Sequence, residues 1–298
     1  MIASVPKMHV DELDIDEELV HRLLVKQFPR WADLPLSRVE PAGTVNEIFR
    51  LGDHLSIRLP RHKGPTIPGS KQLTWLPRLA PQLPLEIPVA VAQGLPMDEY
   101  PWYWEIHTWV EGESAAIEDI DPSQAARDLA SFVRALQKVD PANAPRGRGI
   151  PLADRDKEFR HWLARFGGEP TIATEWERAL AAPPWIGPPV WHHGDLDPRN
   201  WLVKDGRISG VIDWGSAGVG DPACDVMVAW KLHSVAARDA FREALPTDDA
   251  TWDRARGWAL SQAVAALAYY TPENNRALYR EAQMWLKLIL AESRRDER

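Results

Sequence analysis

The stretch from Trp191 to Gly215 constrains this chain more than any other. Two apolar runs, Trp201-Leu202-Val203 and Ile208 to Ile212, flank Lys204-Asp205-Gly206-Arg207. Asp-Gly between short apolar runs is a strong signal for a tight antiparallel hairpin. The outer ends of a hairpin must be neighbours. Asn200 precedes the first run and Asp213 follows the second, so the two are predicted to lie side by side. A neutral amide oxygen beside a carboxylate suits Mg²⁺, a hard cation that takes one or two protein oxygens and completes its shell with water and the oxygens of a nucleoside triphosphate. Asp195 lies five residues before Asn200 on a loop containing Gly194 and Pro198, within reach of the same metal and phosphate. In phosphoryl transfer such an aspartate orients an acceptor hydroxyl and takes its proton. His193 is expected to pack within this loop or hydrogen-bond it, and His192 to end a strand.

Composition sets the frame. A chain of 298 residues has room for one or two domains. With 45% apolar and 26% charged residues it is neither disordered nor fibrous in character. The net charge of −8 disfavours a nucleic-acid-binding surface, which needs clustered Lys and Arg. A single cysteine, Cys224, excludes an intrachain disulfide framework and fits a reducing compartment. Met1 to Glu18 lacks the basic and apolar segments of a secretory signal, and Ala259 to Tyr270 is too short and polar to span a bilayer. A cytoplasmic protein with no membrane partner is expected.

Periodicity predicts β structure first and helices afterwards. Leu13 to Phe28 carries Leu19, Val20, Leu23 and Leu24 at helical spacing. Ile48 to Leu51 and Leu55 to Leu59 around Gly52-Asp53 read as a hairpin. A short helix is expected at Lys71 to Leu79, and strands at Val89 to Ala92 and Trp104 to Val110. From Ser123 to Val139 one face holds Ala125, Leu129, Phe132, Val133 and Leu136, with Asp121-Pro122 as cap and first turn. Further helices are predicted at Asp154 to Phe166, Thr171 to Ala181, Ala223 to Leu232, Ala236 to Leu245, Thr251 to Tyr269 and Glu273 to Ala291. Two lobes, 1–110 and 111–298, would join near Val110 to Glu113.

The pattern His-x-Asp-x-x-x-x-Asn at His193, Asp195 and Asn200, followed by Asp213-Trp214-Gly215 and Gly220-Asp221-Pro222-Ala223-Cys224-Asp225, resembles the aminoglycoside phosphotransferase family. That resemblance implies a protein-kinase-like α+β fold with a small β-rich N-terminal lobe that binds nucleotide and a larger helical lobe that holds the catalytic residues and the acceptor. It implies Asp195 as catalytic base, Asn200 and Asp213 as Mg²⁺ ligands, and ATP or GTP as phosphate donor. Gly43, Thr44 and Asn46 would form the turn over the phosphates. The family's strand lysine and helix glutamate correspond here to Arg58 and Gln72; Arg58 can still contact phosphate, while Gln72 offers it only a neutral hydrogen bond. Arg58-Leu59-Pro60-Arg61 is similar to macrolide phosphotransferases. Thr108 and Val110 would meet the purine through their main chain.

Asp221 reads as a helix cap as readily as a site residue, and Asp225 is expected to bond locally. Asp197 and Glu273 are the acids expected to meet the ammonium groups of a cationic acceptor, whereas a macrolide would want an apolar cleft lined by residues such as Trp230, Trp258 or Tyr269. The expected activity is transfer of phosphate to a hydroxyl of an aminoglycoside, a macrolide or a similar metabolite. The alternatives are a kinase of an endogenous substrate such as choline, homoserine or a sugar, and a nucleotide-binding pseudokinase, which Arg58 and Gln72 suggest.

Overall fold

The computed structural model describes residues 13–39, 46–62, 69–114 and 120–296. The chain divides into two compact units, residues 1–81 with 87–110, and residues 82–86 with 111–298. The first is built on a five-stranded antiparallel sheet of β1 (Leu36–Arg38), β2 (Asn46–Leu51), β3 (Leu55–Pro60), β4 (Ala90–Gly94) and β5 (Trp104–Thr108), ordered β1-β2-β3-β5-β4. Strands β2 and β3 form the expected hairpin, with Gly52 in the left-handed conformation at its turn.

Helix α1 (Glu17–Gln27) starts where the Asp16 carboxylate accepts the Leu19 amide at 2.8 Å. Its Val20, Leu23 and Leu24 are buried with Phe49, Leu51, Ile57, Leu59, Trp104 and Ile106 in one core. The apolar spacing read from the sequence is therefore what holds helix to sheet. Helix α2 (Lys71–Leu79), capped by Ser70, packs beside β4.

The second unit is mainly helical. Helix α3 (Pro122–Gln137) begins at Asp121, whose carboxylate accepts the Ser123 amide at 2.9 Å. Around α8 (Asp249–Tyr269) pack α4 (Asp156–Phe166), α5 (Pro170–Ala181) and α9 (Pro272–Asp296), and α3 packs on α7 (Val235–Ala244). The α8 helix is buried along most of its length.

One expected helix forms differently. Ala223 to Leu232 gives a single turn, α6 (Ala223–Val226), that tightens into a 3₁₀ segment, Met227–Lys231. Every residue of this segment is buried, so packing from all sides rather than an amphipathic period shapes it. Short strands complete the unit: β6 (Glu113–Ser114) with β8 (Trp201–Lys204) and β9 (Arg207–Val211), and β7 (Val190–His192) with β10 (Gly218–Gly220). Among the described residues no helix is long and apolar enough to cross a membrane.

Candidate active site

Strands β8 and β9 close as the Asp-Gly signal requires. Asp205 and Gly206 take φ of 54° and 72°, the left-handed pair whose twist suits a two-residue hairpin turn. Lys204 pairs with Arg207 and Trp201 with Val211, with Ser209 as the extra residue of a bulge. Past the last rung the Ile212 amide donates to the Asn200 carbonyl at 2.9 Å, which ties the entrance of the hairpin to its exit. Asp213 follows directly, at φ 64° and ψ 68°. A side chain with a Cβ pays about 1–2 kcal/mol in that region, a strain that persists only where surrounding structure imposes it.

Asp195 is fixed from the same strand end. The Asn200 amide Nδ2 donates to the Asp195 carbonyl at 2.9 Å and lies 3.4 Å from Asp195 Oδ2. This bond orients the amide and makes Oδ1 its oxygen for a cation. The Asp195 amide donates to His193 Nδ1 at 3.2 Å, and His193 Nε2 lies 3.0 Å from the Ile212 carbonyl. Because Nδ1 must accept, the proton sits on Nε2, and His193 is a neutral strut between the loop and β9. Its ring meets Trp214 edge-on at 4.8 Å. Gly194, at φ 83°, has no room for a Cβ, which would stand 2.7 Å from the Ser216 carbonyl.

Asp225 holds this loop from a distance. Its two carboxylate oxygens accept the His193 and Gly194 amides at 2.7 and 2.8 Å, and it is 1% exposed. The expectation of a local bond is thus corrected: the carboxylate meets two adjacent amides turned the same way by Gly194. Asp221 caps α6 through the Ala223 amide at 2.9 Å and forms a buried pair with Arg254, at 2.7 Å from Nε.

The acids expected to meet an acceptor are placed differently from one another. Asp197 is 1% exposed, with Oδ2 3.1 Å from the Lys231 ammonium and Oδ1 2.6 Å from Arg199 Nε. Burial alone would raise this carboxyl, but Lys231 and Arg199 overcome it and hold the group well below the usual carboxylate range. Its charge is therefore engaged inside the protein rather than presented to a ligand, because a buried lysine requires a counter-charge. Glu273 is exposed in the first turn of α9. The acid near Asp197 is Glu281, further along α9, whose carboxyl is pushed up by burial and by the Asp197 charge. Trp230 and Trp258 are fully buried core residues and cannot line a cleft, whereas Tyr269 is exposed.

In the first unit, Gly43 and Thr44 lie outside the described residues, and Asn46 opens β2 opposite Pro60. Arg58 lies on β3 directly opposite Glu105 on β5. Burial would raise Glu105, but the hydrogen bonds of His107 and Ser70 and the charge of Arg58 draw it below the usual range. Burial lowers the His107 pKa, and His107 Nε2 lies 2.9 Å from Glu105 Oε2. Gln72, expected as the partner of Arg58, has a buried Oε1 with no hydrogen bond among the described residues. The acid facing Arg58 thus comes from the neighbouring strand, where cross-strand register sets it opposite. Thr108 is bound into the sheet, its amide to the Val89 carbonyl at 2.8 Å and its hydroxyl to the Val89 amide at 2.9 Å, and Val110 is buried.

Sequence reasoning missed Arg148, whose NH1 donates to Asp195 Oδ1 at 2.8 Å. The available signal was Arg146-Gly147-Arg148-Gly149, an alternation of cations and glycines in a connector with no helical or strand period.

Comparison with known proteins bears on the family and the fold. Over 81 residues, or 27% of each chain, the sequence is 33% identical to the aminoglycoside 3'-phosphotransferase of Escherichia coli. The chain spans from 27% to 50% of the length of the curated relatives it matches. Its fold is similar to the GDP complex of wild-type aminoglycoside 2'-phosphotransferase-IIIa, with a TM-score of 0.71 at 16% identity over 94% of this chain and 100% of that one. It is also similar to macrolide 2'-phosphotransferase MphH from Brachybacterium faecium, with a TM-score of 0.60 at 24% identity over 90% and 97%. The model of the APH phosphotransferase enzyme family matches residues 38–258, a span that contains Arg58, Arg148, Asp195, Asn200, Asp213 and Asp225, and the chain belongs to that family.

Proposed function

We propose that this chain is a Mg²⁺-dependent kinase that transfers the γ-phosphate of ATP or GTP to a hydroxyl of an aminoglycoside, a macrolide or a similar small metabolite. The observation that carries this reading is the closure of β8 and β9 by the Ile212–Asn200 bond, with Asn200 also bonded to Asp195. That closure draws an amide and two carboxylates to one hairpin mouth. Asp195 takes the proton of the acceptor hydroxyl as its oxygen attacks phosphorus. Asn200 and Asp213 would hold the metal. The donors are an amide and a carboxylate, and among the described residues no group of three or more His, Cys, Asp or Glu gathers as a transition metal would ask, which suits a cation that keeps water and phosphate oxygens in its shell. When bound, Mg²⁺ neutralises charge on the phosphate oxygens.

Residues 1–110 are assigned to the nucleotide, with Arg58 directed to phosphate and held by Glu105. Asn46, with Gly43 and Thr44, covers the phosphates; Gln72 lies beside them; and Thr108 and Val110 meet the base through backbone groups. The acceptor is assigned to residues 111–298, with Glu273 and Glu281 as the acids available to an ammonium group. The buried free thiol of Cys224 suits a reducing cytoplasm.

The departure at Arg58 and Gln72 gives substance to a second reading, a nucleotide-binding pseudokinase. A coupled nucleotide-consumption assay across aminoglycosides, macrolides and amino-alcohols, with ATP and with GTP, separates the two. Consumption that depends on an acceptor supports the kinase and names its substrate class. Nucleotide binding with no turnover on any acceptor favours the pseudokinase, and absence of nucleotide binding contradicts both. In calorimetry, Asp213→Ala is expected to lose metal-dependent nucleotide binding.

A further inference from the structure

The segment Arg146 to Gly149 is held against the second unit's short strands by a series of backbone contacts. Arg146 bridges Val219 in parallel, the Arg148 amide donates to the Ser216 carbonyl at 3.1 Å, and the Asp221 amide donates to the Gly149 carbonyl at 2.9 Å. The Gly149 amide donates to Nε2 of fully buried His192 at 2.9 Å. Both glycines are required by space: a Cβ on Gly147 would stand 2.4 Å from His192 Nε2, and one on Gly149 2.7 Å from His192 Cε1.

What this cradle delivers is the Arg148 guanidinium. Its NH1 lies 2.8 Å from Asp195 Oδ1 and 3.4 Å from the Gly194 carbonyl. Its Nε and NH2 make no hydrogen bond among the described residues, and the side chain is 39% exposed. An ion pair this exposed contributes little to stability, so the pair itself does not account for so constrained a backbone. A planar guanidinium with one nitrogen on a carboxylate still has donors for a second anion, and its geometry matches phosphate oxygens.

We propose that Arg148 is a catalytic residue that bridges Asp195 and the transferred γ-phosphate. This rests on the phosphotransferase reading above and assigns that site a further phosphate-binding group. As the acceptor oxygen bonds to the γ-phosphorus, its proton passes to Asp195. The bond from phosphorus to the β,γ-bridging oxygen breaks, and its electron pair leaves with the nucleoside diphosphate. Charge spreads over the three equatorial phosphoryl oxygens during this exchange, and a fixed cation there stabilises it without reorganisation. Asp195 and Arg148 together set the attacking hydroxyl and the phosphorus in one frame.

The test is calorimetry with Mg²⁺ and two probes for each base, the non-hydrolysable β,γ-imidotriphosphate and the diphosphate of adenosine and of guanosine. Arg148→Ala is expected to weaken the triphosphate analogue about tenfold, the loss of a charge-assisted hydrogen bond, and to leave the diphosphate unchanged. Arg148→Lys, which keeps the charge and serves where the alanine variant folds poorly, is expected to fall between. A γ-phosphate contact moves the ratio of the two affinities; a structural role moves both together. If the wild type binds nucleotide and neither variant changes that ratio, Arg148 does not touch the γ-phosphate and the proposal fails alone. If the wild type binds none of the four probes, the phosphotransferase reading fails with it.

Discussion

The β8–β9 pair and the β3–β5 pair each carry residues proposed to bind the metal or the phosphates, but they pair over different distances in the chain. In β8–β9, Asn200 and Asp213 flank strands joined by a two-residue turn, and the Ile212–Asn200 bond closes their outer ends. In β3–β5, Arg58 meets Glu105 across strands that the sequence separates by a helix and another strand. Local turn chemistry fixes the first arrangement, whereas tertiary register fixes the second. A motif can therefore identify the residues of the hairpin while leaving the acid opposite Arg58 unread.

Long-range charge also holds the Asp195 loop, through the Asp197–Lys231 pair. Asp197→Ala removes the carboxylate paired with the buried Lys231 ammonium, and chemical denaturation should show a loss of about 3–5 kcal/mol. The folded Asp197 carboxyl lies below its unfolded value, so its contribution is present above the unfolded pKa and is lost as the pH falls towards the folded one. An unchanged acid limb of the stability profile in Asp197→Asn would remove this support.

Next in size, Asp225→Asn replaces a charged acceptor of the His193 and Gly194 amides by a neutral one. A loss of about 2 kcal/mol is expected, with a lower transfer rate at saturating substrate. Stability that fell with no change in rate would separate loop shape from catalysis. For the sheet, Glu105→Gln should weaken nucleotide binding about tenfold by removing the charge opposite Arg58, while Gln72→Ala should change it little. The reverse order would favour the helix residue as the partner. The smallest effect belongs to the turn: Gly206→Ala adds a Cβ at φ 72° with nothing nearby to clash, so only backbone strain is added, about 1 kcal/mol in a thermal or urea melt.

What the sequence made legible follows the same division. The Asp205-Gly206 turn, the apolar spacing of α1 and the Asp121-Pro122 start of α3 are local features, and each forms with its expected caps or pairing. Residues 223–232 have no exposed face to impose a helical period, so their 3₁₀ winding was hidden. Asp197 sits beside Asn200 in a loop that invites a ligand role, yet Lys231, 34 residues on, takes its charge. Arg148 reaches Asp195 across 47 residues, through a backbone path that His192 and two glycines determine only once the chain is folded.

Asp195 is proposed as the group that takes the proton of the acceptor hydroxyl. Its most direct test is the rate of phosphate transfer by Asp195→Asn, measured with the best acceptor from the panel at saturating nucleotide, alongside that variant's nucleotide affinity. A rate reduced by about 10²–10⁴ with nucleotide binding retained is expected if Asp195 is the base, since the amide fills the same space but cannot take the proton. Transfer at the wild-type rate would contradict it.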